Sequence, residues 1–120
     1  MIIYKLTEAE EKFAELIWNN EPIKSSELVK LCLKAFEWKK STTYTMLKRL
    51  EDKNLFKNNQ GTVVSLIKKD DFYGEQSKIF VKENFGGSLP KFIAAFAKRS
   101  KLSNKEIEEL EQLINTHKEG

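Results

Sequence analysis

The chain has 120 residues, of which 40% are hydrophobic and 32% are charged, with a formal net charge of +3. This length allows one domain, or a small domain with an appended interaction segment. No apolar run approaches the roughly 18 residues of a membrane span, and no secretory signal begins the chain, so we expect a cytoplasmic protein without a membrane partner. Cys32 is the single cysteine, so an internal disulfide is excluded. His117 is the single histidine, and with one cysteine and one histidine we predict no metal site.

The first predicted helix begins at Thr7, which can accept a hydrogen bond as a cap, with Glu10 three residues later as in a capping box. Pro22 ends this helix, because proline disfavours helical geometry in the residue before it. A second helix is predicted from Ser25, or the residue after it, to about Ala35.

The third predicted helix covers residues 41–54, where small or apolar positions recur at intervals of three and four. These positions should face a core: Thr43, Met46, Leu47 and Leu50. The remaining positions form a polar and basic outer face: Ser41, Thr42, Tyr44, Thr45, Lys48 and Arg49. Asn54 should end the helix, because asparagine tolerates the left-handed conformation found there.

Two short β-prone segments, 55–57 and 62–67, follow this helix and are separated by the polar turn 58–61. A major groove of B-DNA admits an α-helix, and a neighbouring ribbon can hold the backbone. The order of elements therefore predicts a winged helix-turn-helix domain that binds double-stranded DNA through helix 41–54 and the wing 55–67.

The positive charge is concentrated on the same segment. Residues 39–57 contain six basic and two acidic residues, whereas the rest of the chain is nearly neutral. Phosphate binding requires positive charge on one face. Four lysines are therefore predicted to contact phosphates: Lys39, Lys40, Lys53 and Lys57.

Residues 70–120 are predicted to be helical only, so the fold class is mainly α with a small β-wing. We place the boundary between a DNA-binding domain, 1–69, and a helical dimerisation domain, 70–120. About 50 residues are near the lower limit of independent stability, so this segment should pack against a second copy. The predicted dimerisation residues are Phe72, Phe80, Phe85, Leu89, Phe92, Ile93, Phe96, Ile107, Leu110 and Ile114.

Other notable residues have structural interpretations. Trp18 and Trp38 are predicted to pack between helices, and Cys32 is predicted to be a small buried hydrophobe. Tyr44 has two interpretations, a DNA contact or a contact with the first helix. A glycine-rich phosphate loop and a nucleophile with a nearby base are both missing from the sequence, which predicts that the chain is not an enzyme and needs no cofactor.

Several motifs together resemble the penicillinase repressors of the BlaI/MecI type, over essentially the whole chain. The segments that carry the resemblance are Leu6-Thr7-Glu8-Ala9-Glu10, Leu16-Ile17-Trp18, Ser25-Ser26-Glu27-Leu28, Trp38 to Leu50, and Leu102 to Leu110. The resemblance implies a homodimeric repressor on a dyad-symmetric operator. Six residues match the exposed face of that family's recognition helix: Lys40, Ser41, Thr42, Tyr44, Thr45 and Lys48. Arg49 matches an arginine that meets phosphate or a base edge, and Lys57, Asn59 and Gln60 match the wing.

One departure from the family concerns release from DNA. In antibiotic-responsive members, a membrane sensor-protease pathway cuts an Asn-Phe bond in the dimerisation domain, and the aligned residues here are Ala95 and Phe96. The phenylalanine of the cleavage position is therefore present and the asparagine is not. An Asn84-Phe85 pair lies eleven residues upstream, beside Gly86.

Two other functions compete with the repressor hypothesis. The nearly neutral charge outside residues 39–57 would suit a winged-helix module that binds another protein. Alternatively, the phenylalanine-rich stripe could line the pocket of a ligand-sensing regulator. Such stripes more often form a dimer core, so a sequence-specific DNA-binding repressor is the main hypothesis.

Overall fold

The computed structural model describes residues 5–120. Within them the chain forms six helices: α1 (Glu8–Asn20), α2 (Ser25–Phe36), α3 (Lys40–Asp52), α4 (Lys69–Phe85), α5 (Leu89–Arg99) and α6 (Asn104–Glu119). It also forms three strands: β1 (Ile23–Lys24), β2 (Phe56–Asn59) and β3 (Thr62–Ser65). The predicted fold class, mainly α with a small β-wing, is confirmed.

The helix boundaries follow the local signals in the sequence. At the start of α1, the backbone N–H of Glu10 donates to Thr7 Oγ1 at 3.2 Å, and the backbone N–H of Thr7 donates to Glu10 Oε1 at 2.9 Å. This is the predicted capping box. Asn54, two residues after α3, has a φ of 61°, so it adopts the left-handed conformation that was expected to end the helix.

The strands form one antiparallel sheet in the order β1-β3-β2. Asn59 lies opposite Thr62, and the two residues between them, Gln60 and Gly61, both have positive φ angles, 53° and 92°. Two left-handed residues give a hairpin turn whose twist matches that of the strands. β1 was not predicted, because a strand of two residues shows no recognisable alternation.

Residues up to Ser77 form the first compact unit. Its core contains every buried hydrophobic residue of the described chain: Phe13, Ala14, Ile17, Ile23, Leu28, Cys32, Met46, Leu47, Leu50, Leu55, Phe56, Val63 and Phe72. These side chains come from α1, α2, α3, the sheet, the residue before β2 and the first turn of α4. The core therefore ties the exposed elements α3 and the β2–β3 hairpin to a fixed support.

Phe72 was predicted to lie at a dimer surface, and that assignment is wrong. The ring is only 2% exposed, and its centroid lies 5.5 Å from that of Trp18. The first turns of α4 pack into the first unit, and the division between the two compact units falls after Ser77. Periodicity in α4 identified Phe72 as apolar but did not indicate which core would receive it.

Both tryptophans and the cysteine have the predicted structural roles. The indole Nε1–H of Trp18 donates to the backbone oxygen of Ile67 at 3.1 Å. The Trp38 ring contacts those of Phe13 and Phe36, with centroid distances of 5.3 and 4.7 Å. Cys32 is fully buried, and burial raises the pKa of its thiol. Such a thiol is inert at neutral pH.

Residues 78–120 form the second unit. Gly86 and Gly87, both with positive φ, separate α4 from α5, and Ser103 forms the predicted capping box with Glu106 at the start of α6. The Phe92 ring contacts the rings of Phe80 and Phe85. No residue of α5 or α6 is buried. Among the described residues, no helix has both the length and the apolar character needed to cross a membrane.

Candidate nucleic-acid interface

Helix α3 has two contrasting faces. Thr43, Met46, Leu47 and Leu50 are buried, as the spacing predicted. The opposite face is exposed and carries the predicted DNA-contacting residues Lys40, Ser41, Thr42, Tyr44, Thr45, Lys48 and Arg49. A helix held to the core along one side can present the other side to a groove.

Two hydroxyl groups on this face have partners in the chain. Thr45 Oγ1 donates to the backbone oxygen of Ser41 at 2.9 Å, and the residue is exposed. The Tyr44 hydroxyl donates to Ser25 Oγ at 3.2 Å, at the start of α2. The hydroxyl thus contacts α2, a partner that neither of the two interpretations of Tyr44 included. The Tyr44 ring is 37% exposed.

The basic side chains of the face are held only weakly. Lys48 Nζ lies 3.3 Å from Asp52 Oδ1, and both side chains are largely exposed. Such an i,i+4 pair contributes about 0.3–0.5 kcal/mol. Arg49 Nη1 lies 3.6 Å from Met46 Sδ, which is a weak acceptor. Both cations can therefore exchange these weak partners for an external anion.

Four further predicted residues lie at the edges of this surface. Lys39 and Lys57 are exposed, and so are Asn59 and Gln60 at the tip of the β2–β3 hairpin. Within residues 5–120, no carboxylate forms an ion pair with Lys39, Lys40 or Lys57. These ammonium groups are consequently available to an external anion.

Lys53 differs from the other predicted phosphate contacts. Its Nζ lies 2.8 Å from both carboxylate oxygens of Glu10 and 3.4 Å from the backbone oxygen of Lys5. The side chain of Lys53 is 24% exposed, and that of Glu10 is 3% exposed. The structure thus places Lys53 directly after α3 as the half-buried ion-pair partner of Glu10. Sequence spacing gave no sign of this pairing.

A second group that sequence reasoning missed holds the base of the hairpin. Glu21 Oε1 accepts hydrogen bonds from the backbone N–H of Ser65 at 3.0 Å and from its hydroxyl at 2.6 Å. The Trp18–Ile67 hydrogen bond follows two residues later. Side chains near the end of α1 therefore fix the point where β3 leaves the sheet.

The start of α4 is attached to α1 by a polar cluster. Glu15 accepts from the Tyr73 hydroxyl at 2.8 Å and pairs with Lys69 at 2.7 Å. The Lys69 hydrogen bond lowers the pKa of Glu15, against the effect of burial. Burial raises the pKa of the Tyr73 phenol, and so does its hydrogen bond to the Glu15 carboxylate.

The predicted dimerisation residues other than Phe72 lie in the second unit. Phe80, Leu89, Phe96, Ile107 and Ile114 are exposed, whereas Phe85, Phe92, Ile93 and Leu110 are half-buried. Of the residues aligned with the family's cleavage position, Ala95 is half-buried and Phe96 is exposed, in the middle of α5.

Comparison with known proteins identifies the family. The family model described as penicillinase repressor matches residues 6–116. The chain is 30% identical to a penicillinase repressor of Staphylococcus aureus over 115 residues, which are 92% of this chain and 91% of the relative. It is 28% identical to a penicillinase repressor of Bacillus licheniformis over 120 residues, covering 97% and 94% of the two chains.

A third relative is the methicillin resistance regulatory protein MecI of Staphylococcus aureus. It is 24% identical over 116 residues, which are 93% of this chain and 94% of the relative. All three are named as repressors or regulatory proteins, in agreement with the prediction that the chain is not an enzyme. With a family model that spans nearly its full length, the chain belongs to the penicillinase repressor family.

Proposed function

We propose that the protein is a homodimeric transcriptional repressor that binds a dyad-symmetric DNA operator through α3 and the β2–β3 hairpin. The observation that carries the proposal is the exposed polar and basic face of α3, opposite its buried face. Occupation of the operator would block transcription, in keeping with the repressor names of the relatives.

The face of α3 has the chemistry that reads base edges. The Thr42 and Thr45 side chains offer methyl groups that can contact a thymine methyl, and the Lys48 ammonium can donate to guanine acceptors. All three are exposed. Because Asp52 holds Lys48 only weakly, little is lost when the ammonium turns to a base.

The lysines around α3 suit the DNA backbone. Lys39 and Lys40 lie at the start of α3, and Lys57 lies on β2, opposite Val64 in the β2–β3 hairpin. Each phosphate that a cation neutralises releases counterions, so the slope of log affinity against log salt changes by about 0.9 per contact. These three lysines should therefore set affinity for all sequences alike.

The second unit supports a homodimer. Exposed apolar side chains on α5 and α6 include Leu89, Phe96, Leu113 and Ile114. A monomer would leave them in water, whereas a two-fold dimer could cover one copy of this surface with another. Two copies of α3 would then reach half-sites about 34–36 Å apart, or a multiple of that distance.

The test begins with DNA selected from random-sequence duplexes by the purified protein. Fluorescence anisotropy then measures affinity for the selected duplex and for a scrambled duplex over a range of salt concentrations. We expect an enriched palindrome and a clear preference for it. Lys12→Ala, which removes an exposed lysine from α1, is the matched control for Lys40→Ala. Equal affinity for selected and scrambled DNA would refute the proposal.

A further inference from the structure

The Glu10–Lys53 ion pair joins the two helix ends that face each other in the first unit. Glu10 is the third residue of α1, where its carboxylate also accepts the backbone N–H of Thr7. Lys53 follows the last residue of α3, and its own N–H donates to the backbone oxygen of Arg49. One side chain therefore connects the start of α1 with the end of the proposed recognition helix.

The electrostatics of both helices favour this pairing. A carboxylate is stabilised at a helix N-terminus and a cation at a helix C-terminus. Burial by itself would raise the pKa of Glu10, but the hydrogen bonds from Lys53 and Thr7 lower it overall. The carboxylate is thus charged at neutral pH, and it requires the ammonium of Lys53 as its partner because it has almost no contact with water.

The other lysines of the region behave differently. Lys39, Lys40 and Lys57 are exposed, and no ion pair holds them in the part of the chain that the structure describes. Lys53, by contrast, contacts both oxygens of a buried carboxylate. A phosphate could recruit Lys53 only by leaving Glu10 charged and unpaired, which is strongly unfavourable.

Because the pair lies at the C-terminal end of α3, it can influence the orientation of the exposed polar and basic face of that helix. Helix α3 has 13 residues and is therefore about 20 Å long at about 1.5 Å per residue. A small change of tilt at its C-terminus would displace the side chains of its first turns. Hydrogen bonds weaken steeply when distances and angles depart from their preferred values, so base discrimination is sensitive to this tilt.

We propose that Glu10 and Lys53 act as a positioning pair that holds α3 at the angle needed for sequence discrimination, without either residue touching DNA. The inference rests on the proposed DNA-binding function. The inference predicts that loss of the Glu10 carboxylate, which lies on α1 and not on α3, impairs discrimination between DNA sequences as much as loss of the Lys53 ammonium.

The experiment compares Glu10→Gln, Lys53→Met and the double variant with the wild type. The Glu10→Gln substitution keeps an acceptor for the Thr7 N–H and removes only the charge. Anisotropy gives affinities for the selected and scrambled duplexes over a salt series, and circular dichroism of the same samples gives the folded fraction used to correct them. Lys12→Met, at an exposed position of α1, is the control.

We expect each single variant to reduce the selected-to-scrambled affinity ratio about tenfold, the size of one mismatched base pair. The double variant should be no worse than either single variant, because both remove the same interaction. The salt slope should stay at the wild-type value. Glu10→Asp and Lys53→Arg, which keep the charges, should retain most of the discrimination.

Other outcomes separate the failures. If Lys53→Met weakens binding to both duplexes equally and shifts the salt slope by about 0.9 while Glu10→Gln has no effect, Lys53 is a phosphate contact and the inference is wrong. Unchanged ratios in all folded variants also overturn it. A wild type without any preference would instead refute the proposed function. Should Glu10→Gln not fold, Lys53→Met and Lys53→Arg test the pair from its more exposed end. A lower affinity ratio at an unchanged salt slope in Lys53→Met, restored in Lys53→Arg, supports the inference, and a shifted slope at an unchanged ratio overturns it.

Discussion

The two compact units bury their apolar side chains to very different extents. In the first unit, α1, α2, α3 and the sheet share one core of fully buried residues such as Phe13, Leu28 and Leu50. In the second unit, α5 and α6 contain no buried residue, and Leu113 is 67% exposed. The helices of both units have apolar stripes in sequence. The units therefore differ in whether other elements of the same unit pack against those stripes.

This contrast separates two sources of stability. The first unit covers most of its apolar side chains with neighbours in its own chain, whereas the apolar stripes of the second remain uncovered within the described residues. Burial of apolar surface contributes about 25 cal/mol per Å². We therefore expect the first unit to be stable at any protein concentration and the second to gain its stability from association with another copy.

The largest effect should come from the core of the first unit. Phe13→Ala removes a fully buried ring, and such changes typically cost about 3–5 kcal/mol of unfolding free energy. Urea denaturation followed by circular dichroism measures the loss, which should not depend on protein concentration. Leu66→Ala, at an exposed position of the same unit, should change stability by less than about 0.5 kcal/mol. Similar losses in both variants would contradict the assignment of the core.

The second prediction concerns the apolar surface of the second unit. Phe96→Asp and Ile114→Asp should each raise the dissociation constant of the proposed dimer by about a hundredfold, because an unpaired charge would be buried at its interface. Sedimentation equilibrium measures the change. Leu66→Asp is the matched control, since Leu66 is similarly exposed but lies in the first unit. A dimer unaffected by both substitutions would show that this surface is not the interface.

A smaller effect is expected on the face of α3 that is proposed to contact DNA. Lys40→Ala should weaken binding to all duplexes about equally and shift the salt slope by about 0.9. Thr45→Ala should instead change the preferred sequence at one or two positions, with a loss of about 1 kcal/mol on the selected duplex, the size of one buried methyl group. Anisotropy on a panel of single-base variants distinguishes the two effects. Identical profiles for both variants would contradict the division between phosphate and base contacts.

The smallest predicted effect is the contribution of Tyr73 to the unfolding free energy, which becomes visible only at alkaline pH. Its pKa is raised in the folded state, first by burial and then by the hydrogen bond to Glu15. A tyrosine whose pKa is raised on folding stabilises the folded state at pH values below the ordinary tyrosine pKa of about 10. This contribution is lost as the pH rises above that value, because the unfolded chain then releases its proton first. Tyr73→Phe should therefore show a weaker loss of unfolding free energy than the wild type between about pH 10 and 12. Parallel curves from urea denaturation at each pH would contradict this role.

The sequence predicted most of α3 and its surroundings because the signals there are local. Spacing of three and four separated Thr43 and Met46 from Thr42 and Thr45, and turn chemistry identified Asn54. Phe72 was misassigned, and the pairing of Lys53 with Glu10 was missed, for the same reason: each residue's type was clear, but its partner lies far along the chain. The Glu21–Ser65 contact, separated by 44 residues, was missed in the same way.

The pairing of Lys48 with Asp52 has a consequence for selectivity. Asp52 lies one helical turn after Lys48 on α3 and competes with DNA for the lysine ammonium. In a complex, its negative charge would also repel the phosphates of any duplex. On random DNA, where no guanine acceptor lies in the right place, the ammonium would only exchange one weak surface ion pair for another with a phosphate. On the proposed operator, guanine acceptors at the right place would displace the carboxylate. A weak surface ion pair can thus lower the background of indiscriminate binding more than it lowers the intended affinity.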